Sequence, residues 1–213
     1  MRNFILIAIA LIFIVACSEN KKEKVATLPI VKTDLLLITD SSWGSIKPTT
    51  DIEALKAAYG PTNIEDRRVC DLECQDSINV TILYPGSKNE STIYWKDSGY
   101  HKIIDRIECY MDSTDWHTSN GIKIGSGLSD LVKLNGKKIN FYGFGWDYGG
   151  TITSYNEGAL EHSQIFYILT FGDYNADKLI GEIGLDSDMQ EVKDHMDKII
   201  IRSISLVLNR SEL

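Results

Sequence analysis

Three cysteines in the body of the chain, Cys70, Cys74 and Cys109, could carry covalent or metal chemistry. Cys70 and Cys74 flank "DLE", a stretch that could turn and bring the two thiols together. We predict a Cys70–Cys74 disulfide, although connectivity does not follow from sequence alone. The alternative is a zinc site, but C-x3-C with one distant cysteine lacks the usual ligand spacing. Cys109 lies in the alternating stretch "KIIDRIECY" and is predicted to be a small buried apolar residue.

The other titratable residues form no recognisable catalytic or metal-binding motif. H-E-x-x-H and G-x-S-x-G are absent, and the histidines lie too far apart for metal-ligand spacing: His101, His117, His162 and His195. His195, beside Asp194, is expected on the solvated face of a helix. The run "EDRR", residues 65–68, is interpreted as a solvated, self-paired charge cluster, because acids qualify for acid–base work only inside a pocket. We expect no catalytic residue, cofactor or metal ion.

Calcium is the one metal that a local spacing suggests. "GDYNADKLIGE", residues 172–182, carries Asp173, Asn175 and Asp177 at calcium-loop spacing. Lys178 stands where such a loop needs glycine, and Gly184 replaces the glutamate of the twelfth position. A hairpin turn is therefore the preferred interpretation.

The stretch "FYGFGWDYGG", residues 141–150, packs four glycines and five aromatic residues into ten positions. Glycine inside a strand usually marks a bulge or a close backbone approach, so a bulged strand with Trp146 at the core edge is the structural interpretation. The functional one is an interaction loop in which Phe144, Trp146, Asp147 and Tyr148 project toward a partner or a sugar. We favour the structural interpretation and keep these four residues as the candidate interaction loop.

The N-terminus has the pattern of an export signal. Arg2 precedes an uncharged apolar run, Phe4 to Val15, that is too short to span a bilayer. The run ends in "IVAC", which resembles the lipobox of bacterial lipoproteins. The resemblance implies cleavage after residue 16, lipid (including palmitate) on Cys17, and, with Ser18 rather than aspartate next, the outer membrane more than the inner. An ordinary signal peptide with an incidental cysteine is the alternative.

Composition limits the partners of the mature chain. Residues 17–29 are polar and lysine-rich with interspersed glutamates, which favours a flexible tether over a basic patch for lipid headgroups. Arg2 is the only charged residue of the predicted signal peptide, so 21 of the 22 basic and all 30 acidic side chains remain, a formal net charge of −9. Nucleic acid is disfavoured, because phosphate contacts need clustered Lys and Arg.

A helical pattern recurs along the chain. In "TTDIEALKAAYGP", Thr50 and Glu53 occupy capping-box positions and Gly60 is a stop signal; in "GSGLSDLVKLNGK", Ser126 is the predicted cap and Gly136 the stop. A weaker third copy, "DSDMQEVKDHMDK", is predicted to begin at a Ser187 cap.

Segments with period-two alternation follow these helices, among them "SINVTILYP", "STIYW", "KINFYGF", "SQIFYILTF" and "KIIIRSISLVL". Such alternation predicts antiparallel strands with one face on a core. We predict an α+β fold, a tandem repeat of a short helix followed by an antiparallel meander, with the helices packed on the sheet. The first unit would span residues 30–116 and the second 117–213.

Gly125–Ser126 with Gly136, and less closely Thr49–Thr50 with Gly60, resemble the helix opening and closure of the BLIP-like and BamE/SmpA-type bacterial periplasmic modules. The resemblance implies a non-enzymatic, protein-binding, assembly or inhibitor-like role and transfers no catalytic residue. The alternatives are a small-ligand receptor or enzyme with a pocket near Trp146 and Tyr148, and a purely structural envelope protein.

Replacing Cys17 with serine tests the predicted anchor. Because two or three acyl chains anchor a protein firmly, the Cys17→Ser variant should move from the membrane pellet to the soluble fraction when cells are fractionated. Continued pelleting would contradict a lipid anchor at this position.

Overall fold

The computed structural model describes residues 34–70, 77–97, 99, 101–172 and 177–209 of the 213-residue chain. These residues belong to one compact unit, Thr33–Leu213. The predicted signal peptide, the tether, Cys17, Cys74 and residues 173–176 of the calcium-like loop lie outside the described residues. Among the described residues, no helix has the length and apolar character needed to cross a membrane.

The described residues form an α+β fold of short helices and mainly antiparallel strands. The helices are α1 (Ile52–Tyr59), α2 (Leu128–Asn135) and α3 (Gln190–Lys193), and 3-10 turns occupy Pro61–Asn63 and Asp177–Leu179. The strands are β1 (Leu37–Thr39), β2 (Ser42–Trp43), β3 (Ile64–Cys70), β4 (Ser77–Leu83), β5 (Ser91–Trp95), β6 (Ile104–Cys109), β7 (His117–Thr118), β8 (Asn140–Tyr142), β9 (Ile152–Ser154), β10 (Ile165–Phe171), β11 (Gly184–Asp186) and β12 (Ile199–Val207).

A six-stranded sheet in the order β10-β12-β6-β5-β4-β3 dominates the fold. Two three-stranded sheets accompany it, β2-β1-β7 and β11-β8-β9. All neighbours in the large sheet are antiparallel, whereas β1 and β7 pair in parallel. The prediction of an α+β fold built on antiparallel sheet is confirmed.

The predicted boundary between residues 116 and 117 does not separate two sheets. Strand β12 of the C-terminal half pairs with β6 of the N-terminal half, with Leu206 opposite Ile107 and Ile204 opposite Cys109. Strand β1 likewise pairs with β7 across the same boundary. The two halves therefore share one sheet and one core.

The two faces of the large sheet differ in burial because successive side chains of a strand point to opposite faces. Ile93, Ile107, Leu206 and Ile165 form a row across four strands, and all four are buried in the core that also receives α1 and α2. The adjacent row on the other face is Thr92, Glu108, Ser205 and Phe166, all partly exposed. The helices thus pack on one face, and we call the opposite one the open face.

Both long helices end where the sequence predicts, but the predicted caps are wrong. Gly60 and Gly136 close α1 and α2 with φ angles of 83° and 73°, a region that glycine enters without steric cost. The N-cap of α1 is Asp51, whose Oδ1 accepts the Ala54 N–H at 2.9 Å. Thr50 lies one residue before this cap, and its hydroxyl accepts the Lys47 N–H instead of an N–H of the helix.

The other two predicted caps fail for similar reasons. Helix α2 begins after Gly127, one residue past Ser126, and the Asp130 carboxylate accepts the Gly127 N–H at 3.3 Å. Ser187 is buried two residues before the α3 cap and accepts the Ile139 N–H at 3.0 Å, so it ties α3 to the sheet instead of capping it.

Close backbone contact explains the glycine at position 150. The Leu169 N–H donates to the Gly150 carbonyl at 2.9 Å, which links the loop before β9 to β10. Gly150 has a φ of +79°, and a Cβ added there would collide with the Leu169 carbonyl. Both the backbone angle and the contact exclude a side chain at this position.

The variant Gly150→Ala separates these two requirements when compared with Gly121→Ala. Gly121 has the same φ of +79° but open space where its Cβ would stand. We expect Gly150→Ala to reduce the free energy of unfolding by about 1–3 kcal/mol more than Gly121→Ala does, because overpacking adds to the shared backbone strain. Urea denaturation followed by circular dichroism measures the difference, and equal losses would refute the backbone collision.

Candidate functional site

The candidate interaction loop is part core and part surface. Phe144 is buried, with its ring stacked on Phe171 at 5.6 Å between centroids. The prediction that Phe144 projects toward a partner is therefore wrong. Its backbone N–H donates to the Leu179 carbonyl and its carbonyl accepts from Gly181, each at 2.8 Å, so this part of the loop is held on both sides.

Gly143 permits that arrangement. A Cβ at Gly143 would lie 2.7 Å from the Gly181 carbonyl oxygen and 2.7 Å from a side-chain atom of Ile183. The close approach that glycine in a strand predicts is present here.

The rest of the loop forms an aromatic surface. Trp146 lies between Tyr142 and Tyr148, with each pair of ring centroids 5.4 Å apart and edge-to-face. The indole N–H of Trp146 donates to the Gly143 carbonyl at 2.9 Å, which fixes the ring. Tyr148 is 58% exposed and Tyr142 39% exposed. Trp146 is half-buried and Asp147 and Tyr148 are exposed, so these three are accessible as the functional interpretation requires, and their role in binding stays a prediction. Tyr142 belongs to the same aromatic surface, although nothing in the sequence singles it out.

A pocket of about 310 Å³ opens where this loop meets β10 and β12. Trp146 and Asp147 line it from the loop, together with Phe144 beneath them, and Thr170 and Arg202 line it from the strands. Arg202 reaches the site because β10 and β12 shift register between Ile168 and Leu169. Sequence reasoning missed Arg202, since nothing in the alternating run of β12 indicates which residue lies at the irregularity.

The open face carries a second cluster of functional side chains around Glu108. Arg106 Nε donates to Glu108 Oε1 at 2.7 Å, and the Tyr110 hydroxyl donates to Glu108 Oε2 at 2.7 Å. The Arg106 guanidinium carbon lies 3.7 Å from the centroid of the Tyr94 ring. Partial burial, followed by the hydrogen bond to Glu108, raises the pKa of Tyr110, so its hydroxyl remains a donor.

Two buried apolar residues lie beside this cluster, on the same face of the neighbouring strand β4. Val80 and Ile82 have 0% and 1% exposure, yet they do not belong to the core that contacts the helices. Val80 pairs with Arg67 on one side and Tyr94 on the other, and Arg67 contacts Glu65 at 3.0 Å and Glu90 at 3.3 Å. The prediction of a self-paired cluster in "EDRR" therefore holds only for Glu65 and Arg67, because Asp66 accepts a hydrogen bond from the Thr81 hydroxyl and Arg68 donates to Ser77.

Two of the three cysteines of the body, Cys70 and Cys109, are in the state that the disulfide hypothesis predicts. Cys70 is disulfide-bonded, and Cys109 is free and buried. A disulfided Cys70 cannot offer the thiolate that zinc binds, which removes the zinc alternative for this residue. Cys74 lies outside the described residues, so the Cys70–Cys74 link stays a prediction. Burial raises the pKa of the Cys109 thiol, which suits a core residue and not a nucleophile.

Two histidines lie against aromatic rings. His101 contacts Trp95 at 5.2 Å and His195 contacts Phe171 at 5.5 Å between centroids. His195 is half-buried, so its expected place on a solvated helix face is wrong. Within the described ranges, no group of three or more His, Cys, Asp or Glu side chains is arranged to hold a metal ion.

Comparison with known proteins gives one distant structural likeness. No protein-family model and no curated protein matches the chain. A solved structure titled "Crystal structure of the uncharacterized protein yfeY from Escherichia coli" is similar, with a TM-score of 0.45 and 13% sequence identity over 80% of this chain and 98% of that chain. A likeness at this level does not carry a functional conclusion.

Proposed function

We propose that this chain is a lipid-anchored envelope protein that binds a protein partner through the open face of its large sheet. The observation that carries the proposal is the cluster of Tyr94, Arg106, Glu108 and Tyr110 beside the buried Val80 and Ile82 of the neighbouring strand. Tyrosine and arginine are the residue types most enriched at the energetic centres of protein interfaces.

The geometry of this cluster favours binding without large rearrangement. Glu108 holds both Arg106 and Tyr110, and Arg106 lies over the Tyr94 ring. Side chains that are already fixed lose less conformational entropy on association. Because Arg106 and Arg67 each have carboxylate partners, the face presents mixed polarity with little net charge, which suits a protein surface better than a polyanion.

Asp115 and Glu191 are two surface carboxyl groups that ion pairs and hydrogen bonds hold in the ionised form. The pKa of Asp115 is lowered, first by its hydrogen bond from Lys88, and that of Glu191 is lowered, first by a backbone hydrogen bond. A carboxyl group that acts as a general acid at neutral pH needs a raised pKa instead. These acids therefore serve ion pairs and hydrogen bonds.

Anchoring is proposed through lipid on Cys17, with residues 17–29 as the tether and the outer membrane as the site. The support is the sequence pattern described above, including Ser18 after the cysteine. Two or three acyl chains and a flexible tether would hold the body near the membrane while leaving the open face accessible.

We further propose that the two halves are copies of one helix-and-meander unit, as in the BLIP-like and BamE/SmpA-type modules. Both helices have eight residues and begin 76 positions apart, at residues 52 and 128, and each is followed by a strand, at 64 and 140. Before each helix the same contact recurs: Lys47 N–H to Thr50 Oγ1 at 2.9 Å, and Lys123 N–H to Ser126 Oγ at 3.1 Å.

The strand order supports the same proposal. In the first half β3, β4, β5 and β6 pair in sequence, and in the second half β8 pairs with β9 and β10 with β12. An isolated bridge between Thr151 and Ile168 connects β9 to β10. The two meanders would then meet at β6 and β12 and give one extended binding face.

Photo-crosslinking in intact cells tests the binding surface. A benzophenone amino acid at Tyr110 should give one dominant protein adduct, detected by anti-tag blotting and mass spectrometry. The matched control is the same probe at Glu53, which lies on α1 and has 78% side-chain exposure. Adding Arg106→Ala should abolish the Tyr110 adduct, because it removes the cation that contacts both Glu108 and the Tyr94 ring.

The comparison distinguishes specific binding at the open face from non-specific crosslinking to nearby proteins. Equal adducts at Tyr110 and Glu53, or an adduct that survives Arg106→Ala, would contradict docking on the open face. Trp146→Ala in the same experiment shows whether the aromatic loop belongs to that interface or serves a different ligand.

A further inference from the structure

We propose that the pocket between the aromatic loop and strands β10 and β12 binds a small zwitterion, an α-amino acid or short peptide with an apolar side chain. This site is separate from the protein-binding cluster on the open face and does not depend on that proposed function. Its volume of about 310 Å³ lies at the lower end of small-molecule pockets, about 300–1,000 Å³, which suits a ligand of this size.

Two opposite charges line the pocket without satisfying each other. Arg202 and Asp147 both border it, and the side chain of neither forms an ion pair or hydrogen bond with another residue of the described chain. Arg106 and Arg67, by contrast, both have carboxylate partners. A pocket with one free cation and one free anion is complementary to a ligand that carries both signs.

The charges of Arg202 and Asp147 determine which end of the ligand each residue would bind. The guanidinium of Arg202 presents parallel N–H donors that match a carboxylate, so it would bind the ligand's carboxylate. The Asp147 carboxylate would accept hydrogen bonds from an ammonium group, which the adjacent Trp146 ring also attracts. A simple anion would be repelled by Asp147, and a simple cation by Arg202.

The pocket has a covered apolar floor and one accessible aromatic ring, that of Trp146. Phe144, Phe171 and Leu169 border the pocket and are 4%, 2% and 0% exposed. Thr170 adds a hydroxyl at the strand side. Because the three apolar side chains are covered, an aromatic or branched aliphatic side chain of the ligand would pack on the half-buried Trp146 ring, with the ligand's charged ends toward Arg202 and Asp147.

The pocket is formed in advance by backbone contacts. The Trp146 indole N–H donates a hydrogen bond to the Gly143 carbonyl, and the Gly149 N–H donates one to the Trp146 carbonyl, both at 2.9 Å. The Leu169–Gly150 hydrogen bond joins the loop to β10. A loop fixed at both ends needs little ordering when a ligand enters.

Isothermal titration calorimetry on the mature lipoprotein in detergent tests the proposal with three related probes. L-phenylalanine carries both charges, N-acetyl-L-phenylalanine only the carboxylate, and L-phenylalanine amide only the ammonium. We expect L-phenylalanine to bind at least about tenfold more tightly than either analogue, because each lost charge removes a charge-assisted contact. The dipeptide glycyl-L-phenylalanine shows whether the natural source is a free amino acid or a peptide.

Two variants connect each charge to its residue. In Arg202→Met, L-phenylalanine should bind no better than its amide, and in Asp147→Asn no better than its N-acetyl form. Arg68→Met, an exposed arginine on β3 outside the pocket, is the matched control and should bind as the unaltered protein does.

No binding of any probe at millimolar concentration, or equal binding of the three phenylalanine probes, would overturn the proposal. Unchanged selectivity in both pocket variants, with circular dichroism showing intact folding, would also overturn it. None of these results bears on the open face, so the protein-binding proposal would stand or fall separately.

Discussion

The pairing of β12 with β6 is the interaction on which the rest of the structure depends. It joins a strand near the C-terminal end of the described chain to one about a hundred residues earlier, through four opposed residue pairs. Asn209 extends the link, since its side-chain amide donates to the Ile104 carbonyl at 2.7 Å. Without this pairing the sheet of the first half would end at β6, and Ile107 would lose Leu206 as its neighbour in the core.

This pairing also determines which surface is available for binding. Once β12 lies beside β6, the rows of apolar residues from both halves become continuous on one face, and α1 and α2 bury that face. The opposite face remains partly exposed, with Tyr94, Arg106 and Glu108 beside Val80 and Ile82. The register irregularity between β10 and β12 then places Arg202 beside the aromatic loop, so the pocket follows from the same sheet.

Local patterns predicted the elements that depend on local physics. Helices α1 and α2 end at the glycines that the sequence indicates, and β4, β5 and β10 lie within the alternating segments. Strand β3 was not recognised, because its charged residues resemble a solvated turn when the cross-strand partners are unknown. Pairing with β4 along all seven residues decides this segment more than intrinsic preference does.

The candidate site shows the same division. Trp146 and Asp147 could be selected from composition, but the burial of Phe144 depends on Phe171, which lies in a distant strand. Arg202 could not be selected, because its neighbours in space come from a loop more than fifty positions earlier. Asn135 is a similar case: it is buried at the end of α2, and its side chain holds Tyr155 and Leu160 of a later loop.

Native-state hydrogen exchange with mass spectrometry tests the shared sheet most directly. If β6 and β12 form one cooperative unit, amides in both strands should exchange with the same free energy of opening and the same dependence on denaturant. Exchange in β12 at a clearly lower free energy than in β6, with β6 still protected, would show that the halves open independently and would contradict a single shared sheet.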